Sequence, residues 1–401
     1  MNTKLIGLAL FGLTAAAVTA YPALTQTRQA QVEGQHPTIV LPNPDQRPVV
    51  EAVFVLDTTG SMGGLIQAAK DKVWSIASTL AAAQPAPQVR MGLVAYRDRG
   101  DDYVTKIIDL SSDLDQIQTA LFQFQAQGGG DAPESVNQAL HEAVTRIGWS
   151  RDPAVYRVVF LVGDAPPHQD YPNDIPYAQT LAEAGRRGIR VNTIQCGQQA
   201  DTRGDWQRIA QLGNGGYFQV DQAGGAVAIA TPYDAPLAKL SAELDDTRLY
   251  FGNADERSKR KGEVDAAKAV QAASAPAVLA RRAEFVGSES GASSLLGDQE
   301  LVEAVTSGRV NLKELQPEQL PQPLAELDGD ARAGMVKATA QRRDALRAEI
   351  HDISTKRAGY LKQQVDAVGG AEDSLDHQVW NLVRQQGADA GLNYGTGGPK
   401  Y

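Results

Sequence analysis

Two stretches of this chain are almost continuously apolar: "VVEAVFVLD" (49–57) and "YRVVFLVGD" (156–164). Each is strand-length and rich in β-branched residues, and neither has a polar face. A strand with one side in water alternates apolar and polar residues, so runs like these belong to a sheet covered on both sides. The segments between and after them fit that sheet. "GGLIQAAKDKVWSIASTLAAA" places Leu65, Ala69, Val73, Ile76 and Leu80 at helical spacing and is stopped by "QPAP". "VRMGLVAYRD" and "TKIIDL" read as short strands, and "DLDQIQTALFQFQ" and "DAPESVNQALHEAVTRI" as helices around a glycine run. "IPYAQTLAEAGRRG", "IRVNTIQCG", "DWQRIAQLGN" and "GGYFQV" continue the alternation. Strands alternating with helices of this length give an α/β fold with a doubly wound, mostly parallel central sheet.

In such sheets ligands gather beyond the carboxyl ends of the strands. Both apolar runs end there in an aspartate, Asp57 and Asp164. After Asp57 the chain reads D-x-T-x-S. Alternate residues of an extended turn point the same way, so one carboxylate and the hydroxyls of Thr59 and Ser61 can converge. Hard oxygen donors of this kind suit Mg²⁺ or Ca²⁺ and suit zinc poorly. The structural alternative is that Asp57 or Ser61 caps the following helix.

Together, "VFVLDTTGSM", "MGLVAYRD", "GGGDAPESVNQALHEAV" and "VVFLVGDAPPH", in that order, resemble the von Willebrand factor A (VWA) domains that carry a metal-ion-dependent adhesion site. The resemblance covers roughly residues 48 to 235. It implies a mostly parallel sheet wrapped by helices, with a metal ion at its carboxyl edge. Asp57, Thr59 and Ser61 would form the first loop of that site. Asp164 would be the distal aspartate, reaching the metal through water. The middle loop departs from the family pattern, in which a threonine supplies the ligand: "GGGDAPESVNQAL" has none. The glycine run points to Asp131. Counting back from Leu140 puts Glu134 in the threonine position. Asp131 is the preferred choice, although Asp-Ala-Pro-Glu also reads as a capping box with Asp131 as N-cap and Glu134 at N3. Gly130 and His168 are expected on the rim, His168 as a hydrogen bonder rather than a ligand. A few-ligand, water-retaining site favours Mg²⁺, with Ca²⁺ or Mn²⁺ as alternatives.

The implied function is a divalent-cation-dependent binding or adhesion module that captures a protein or surface ligand. A scaffold with a structural metal is the alternative, and a hydrolase a more distant one. For a hydrolase, Ser61 has no histidine in its motif, and there is no G-x-S-x-G elbow. A formal net charge of -10 argues against a nucleic-acid partner, since phosphate binding needs a basic face. Arg-Gly-Asp occurs at Arg99–Asp101 and Arg203–Asp205, and reads as a chance product of charged turns. The single cysteine, Cys196, cannot make an intramolecular disulfide and reads as a small buried hydrophobe.

Outside the sheet domain, "MNTKLIGLALFGLTAAAVTAYP" has one lysine, an apolar stretch and a small residue, Ala20, before Tyr-Pro. These are the parts of a secretory signal (1–20), with an uncleaved anchor as the alternative; membrane contact is expected only if the segment is retained. Export places the protein in the periplasm or outside the cell. Residues 21–48 read as a linker, 49–252 as the sheet domain, and 253–401 as a helical carboxyl-terminal region with a proline-rich connector, "LQPEQLPQPLAEL". Within that region Leu346, Ile350, Ile353, Leu361, Val365 and Val368 form one stripe, interrupted near Arg357. The gap favours a helix packed in a separate small domain over a long coiled coil. "RSKRKG" (257–262) reads as a solvated basic segment.

Overall fold

The structure is a computed structural model that describes residues 47–221, 229–296, 299–367, 375–395 and 398. The segment read as a signal, and the linker up to residue 46, lie outside the described residues, as does Val368. No helix among the described residues is long and apolar enough to cross a membrane.

Six strands form one sheet in the order β3-β2-β1-β4-β5-β6. They are β1 (Val49–Asp57), β2 (Gln88–Tyr96), β3 (Thr105–Ser111), β4 (Tyr156–Gly163), β5 (Ile189–Cys196) and β6 (Tyr217–Val220). Only the β2–β3 pair is antiparallel; the other pairs are parallel. Side chains alternate across a strand, and the two faces build separate cores. Val53, Val55, Val159, Leu161 and Val191 face helices α3 (Val136–Thr145), α4 (Tyr177–Arg186) and α5 (Ala200–Leu212). Ala52, Leu56, Leu93, Val158, Phe160 and Ile194 face the other way, towards α1 (Gly63–Ala81) and α2 (Leu114–Gln123). Phe54 and Phe160 are register partners whose rings stack 5.2 Å apart. Burial on both faces explains why β1 and β4 carry no polar face.

The second face is covered by more than α1 and α2. Helix α6 (Asp234–Asp245) packs there, followed by α7 (Ala254–Ala273), α8 (Pro276–Gly287), α9 (Glu289–Leu296), α10 (Leu301–Thr306), the 39-residue α11 (Gly329–Ala367) and α12 (Leu375–Ala388). Val278, Phe285, Ile350, Trp380 and Val383 belong to the same core as β1, β2 and β4. The boundary at 252/253 marks where strands end but not where the core ends. The expectation of a separately folded helical domain is therefore corrected. From Arg47 onward the chain is one compact unit.

Buried charge makes the same connection. Arg282, with a fully buried side chain, donates Nε to Asp115 Oδ1 at 2.7 Å and Nη2 to Asp115 Oδ2 at 2.6 Å. Its Nη2 also reaches Asp245 Oδ1 at 2.9 Å, so α8 is tied to both α2 and α6. Arg343 pairs with Glu300 at 2.8 Å. Arg357, the apparent gap in the α11 stripe, is buried and pairs with Asp234 at 2.8 Å and Glu284 at 3.1 Å. The stripe is continuous; one of its members is an arginine whose partners lie on α6 and α8. "RSKRKG" is mostly solvent-facing, with Arg260 paired to Asp113 and Glu263.

Candidate metal centre

Asp57 ends β1 fully buried. Its Oδ1 accepts from the Thr59 backbone N at 2.9 Å and from Thr59 Oγ1 at 2.7 Å. Its Oδ2 has no hydrogen-bond partner among the described residues. Thr58 points the other way and bonds Tyr96 O and Tyr103 Oη. The alternation of D-x-T-x-S is thus realised: Thr59 Oγ1 lies 3.3 Å from Ser61 Oγ, which donates to Asp164 Oδ1 at 3.1 Å. Asp57 and Ser61 do not cap a helix. The short 3-10 turn and α1 that follow start without a side-chain cap.

Close packing fixes these loops. Gly60 N donates to Gly128 O, and Gln127 N to Thr58 O, which seats the glycine run on the first loop. Gly128 has φ +78°, and a Cβ there would meet Asp101 Oδ1 at 2.2 Å. At Gly163, just before Asp164, a Cβ would lie 2.5 Å from Tyr96 Oη and 3.0 Å from Asp57 Cβ. Only glycine lets β4 bring Asp164 alongside Asp57. Beyond it, Thr202 Oγ1 donates to Asp164 O and Trp206 Nε1 to Ala165 O, each at 3.0 Å.

The middle loop is where the sequence reading needs revision. Helix α3 begins at Val136 with Ser135 as N-cap and no side-chain cap bond, so the Asp131–Glu134 capping box does not form. Instead Glu134 N donates to Pro166 O at 2.9 Å and His168 N to Glu134 O at 3.0 Å, which clips Glu134 onto the Asp164 loop. Its carboxylate turns towards the first loop: a Cβ on Gly129 would lie 3.0 Å from Glu134 Oε1 and 3.1 Å from Thr59 Cβ. Asp131, the preferred choice from sequence, borders the same cleft but its side chain is 65% exposed, with Oδ1 3.9 Å from His168 Nε2. Both residues line the cleft with Asp164, Glu134 buried and Asp131 exposed. Gly130 is exposed, with open space around it. His168 is buried beside Asp98, Asp170 and Tyr171, so it lies behind the rim.

The electrostatics follow from the crowding. Burial, opposed by the Thr59 hydrogen bonds and reinforced by Asp164, pushes the Asp57 carboxyl up to about 7. Burial and then the charges of Asp57, Asp98, Asp101 and Asp164 push Glu134 up to about 9. Glu134 Oε2, like Asp57 Oδ2, has no hydrogen-bond partner among the described residues. Carboxylate oxygens buried without donors, close to one another, are unfavourable unless protonated or bound to a cation. The residues present therefore fit a divalent metal ion: Thr59, Ser61, Glu134 and Asp164 line a cleft of about 250 Å³, and Asp57 lies directly behind Thr59, all offering oxygens only. A larger hollow, about 800 Å³, lies at the other edge of the sheet beside Arg151, Arg157 and Arg187, and holds none of these residues.

Sequence reasoning missed Asp98 and Asp101, which charge the same edge. The signal was present, because "GLVAYRD" is another apolar strand leading to an aspartate. Both Arg-Gly-Asp tripeptides are engaged within the chain. Arg99 stacks on Tyr171 and pairs with Asp174, and Asp101 accepts from Asp98 N and Gly129 N. Asp205 accepts from Tyr177 Oη, and Arg203 donates to Gln219. Cys196 is buried at the end of β5, where burial raises its thiol pKa well above the usual value.

Residues 51–232 match the family model described as von Willebrand factor A domain. A RING finger protein of Acanthamoeba polyphaga mimivirus, described as ariadne-like, is 26% identical over 124 residues, which are 31% of this chain and 12% of that protein. Among solved structures, proximal thread matrix protein 1 from the mussel byssus, in a form with a zinc-occupied MIDAS motif, is 16% identical with a TM-score of 0.35, covering 43% of this chain and 42% of that one. The SpRpn10 VWA domain is 12% identical with a TM-score of 0.34, covering 44% of this chain and 89% of that one. The matched residues, 51–232, carry nearly all of the mostly parallel six-stranded sheet, a fold like that of von Willebrand factor A domains.

Proposed function

We propose that this chain is a binding module, not an enzyme, that grips a protein or surface ligand through a divalent cation held by a metal-ion-dependent adhesion site. Asp57, Thr59 and Ser61 would supply the first loop, Glu134 the middle loop, and Asp164 the distal carboxylate. The observation that carries this reading is a pair of buried carboxylate oxygens with no hydrogen-bond partner among the described residues, Glu134 Oε2 on a cleft lined also by Thr59, Ser61 and Asp164, and Asp57 Oδ2 on the residue that holds Thr59. Mg²⁺ fits the all-oxygen donor set, with Ca²⁺ and Mn²⁺ as alternatives. When bound, the ion supplies an electrophilic position that an oxygen of the partner can complete. Glu134 in place of a neutral hydroxyl makes the site one charge more negative, so it pulls less on an acidic partner group and tolerates carbonyl or hydroxyl donors better. Export to the periplasm or cell exterior, through the amino-terminal signal or anchored by it, completes the proposal.

The test is capture of surface-exposed proteins and envelope polymers by the immobilised full chain. Capture should be abolished by chelator, restored by Mg²⁺, and absent in Asp57→Ala. Capture unaffected by chelator, from a protein that still binds Mg²⁺, would make the metal structural and the protein a scaffold.

A further inference from the structure

Behind the rim of the first cleft, Asp98, Asp131 and His168 converge from three loops: after β2, before α3 and after β4. One potential ligand atom from each lies within 4.8 Å of the others. We propose that these three residues form a second cation site, with the donor chemistry of zinc rather than magnesium, separate from the Asp57 centre.

The histidine carries the argument. His168 is only 4% exposed, and its Nε2 makes no hydrogen bond among the described residues. Its Nδ1 lies 2.7 Å from Asp170 Oδ1. A carboxylate accepts, so Nδ1 carries the proton and the Nε2 lone pair points away from Asp170. It points at two more carboxylate oxygens, Asp98 Oδ2 at 3.3 Å and Asp131 Oδ1 at 3.9 Å. A lone pair facing anionic oxygens is repulsive unless a positive centre lies between them. A proton on Nε2 serves one oxygen, whereas a metal ion engages all three atoms. Ligand atoms on a tetrahedral zinc, with bonds of about 2.0–2.1 Å, are about 3.3 Å apart. The Asp98–His168 separation already has that value. Asp131 is exposed, and its Oδ1 needs to approach Nε2 by about half an ångström to match it.

The surroundings are built as metal sites are built. Asp170 orients the imidazole from behind, the arrangement that raises the basicity of a ligating histidine. Asp98, itself buried, is held by Ser135 Oγ at 2.9 Å and by Tyr171 Oη at 2.8 Å and 3.0 Å. The Tyr171 ring stacks on the imidazole, centroids 3.9 Å apart. One imidazole and two carboxylates suit Zn²⁺ and its analogues, and three protein ligands leave one position open. A cation here would fasten the Asp131 end of the glycine loop that borders the first cleft.

The experiment is Zn²⁺ binding to the full chain without an affinity tag, in competition with a chromophoric chelator and in excess Mg²⁺. Co²⁺ serves as the visible-absorption probe. Parent and Asp57→Ala should bind one Zn²⁺ with equal affinity. His168→Gln and Asp131→Ala should bind it at least tenfold more weakly, Asp170→Asn should fall between, and the Co²⁺ bands should vanish in His168→Gln. Asp131 is exposed, so its variant keeps the test valid even if His168→Gln does not fold. Equal affinity in parent and Asp131→Ala overturns the proposal. So does loss of all Zn²⁺ uptake in Asp57→Ala, because the zinc would then be using the first centre. The first of these results leaves Mg²⁺ binding at Asp57 untouched.

Discussion

A carboxylate at the end of a buried strand is poorly placed without a partner charge, and Asp57 has one oxygen held by Thr59 and the other by nothing. Asp57→Asn keeps an oxygen for the Thr59 donors while removing the charge that crowds Glu134 and Asp164. Each unit of upward pKa shift relieved is worth about 1.4 kcal/mol. The metal-free variant should therefore be at least that much more stable than the parent near neutral pH, by chemical denaturation, while losing its response to Mg²⁺. The sign of the pH dependence follows from the same groups. Asp57 at about 7 and Glu134 at about 9 keep their protons in the folded state after the unfolded chain has lost them. Their contribution favours the metal-free fold in acid and declines as pH rises towards those values. Melting temperature of the metal-free parent should fall between about pH 5 and about pH 9, and saturating Mg²⁺ should remove much of the fall. A metal-free profile that is flat or rising would contradict the assigned crowding. Asp57, Thr59, Ser61 and Asp164 were legible because a strand end followed by alternating donors fixes direction locally. Glu134 was not preferred, because its placement depends on the Pro166–His168 segment, more than thirty residues away.

The carboxyl-terminal helices belong to the sheet they cover. Removing one partner of a buried ion pair costs about 3–5 kcal/mol, so Arg282→Ala, which leaves Asp115 and Asp245 only Arg248, should lower stability by up to that order. A chain ending at residue 252 loses Val278, Phe285, Ile350 and Trp380 from the core and leaves Asp115 and Asp245 with Arg248 alone. It should show no cooperative unfolding transition by calorimetry; a sharp transition near the parent's would restore the two-domain view. The strands were readable because continuous β-branched runs have few alternatives once helices flank them. The docking of α8 and α11 was not. Arg282 meets Asp115 across 167 positions and Arg357 meets Asp234 across 123, and a charged residue on a helix reads locally as a solvated one. Helix α6 was overlooked despite Leu237, Leu240 and Leu244 at helical spacing, because its first turn lies within "TPYDAP", which reads as a loop.

At the scale of the whole molecule, a sheet like that of von Willebrand factor A domains presents an acidic, oxygen-lined cleft at its carboxyl edge, and a helical layer covers one of its faces. The proposed export predicts a mature chain beginning at Tyr21, which intact mass measurement checks; a retained Met1 on detergent-extracted protein would indicate an anchor. The claim on which the functional reading rests is that Asp57 helps hold a divalent cation. Isothermal titration of Mg²⁺ into the metal-free full chain tests it most directly. One ion per chain should bind the parent, at least tenfold more weakly in Asp57→Ala, with a matching loss of the rise in melting temperature, which for binding to the folded state alone reaches about 2.7 kcal/mol at a hundredfold excess over the dissociation constant. Equal Mg²⁺ uptake by parent and Asp57→Ala would contradict the account.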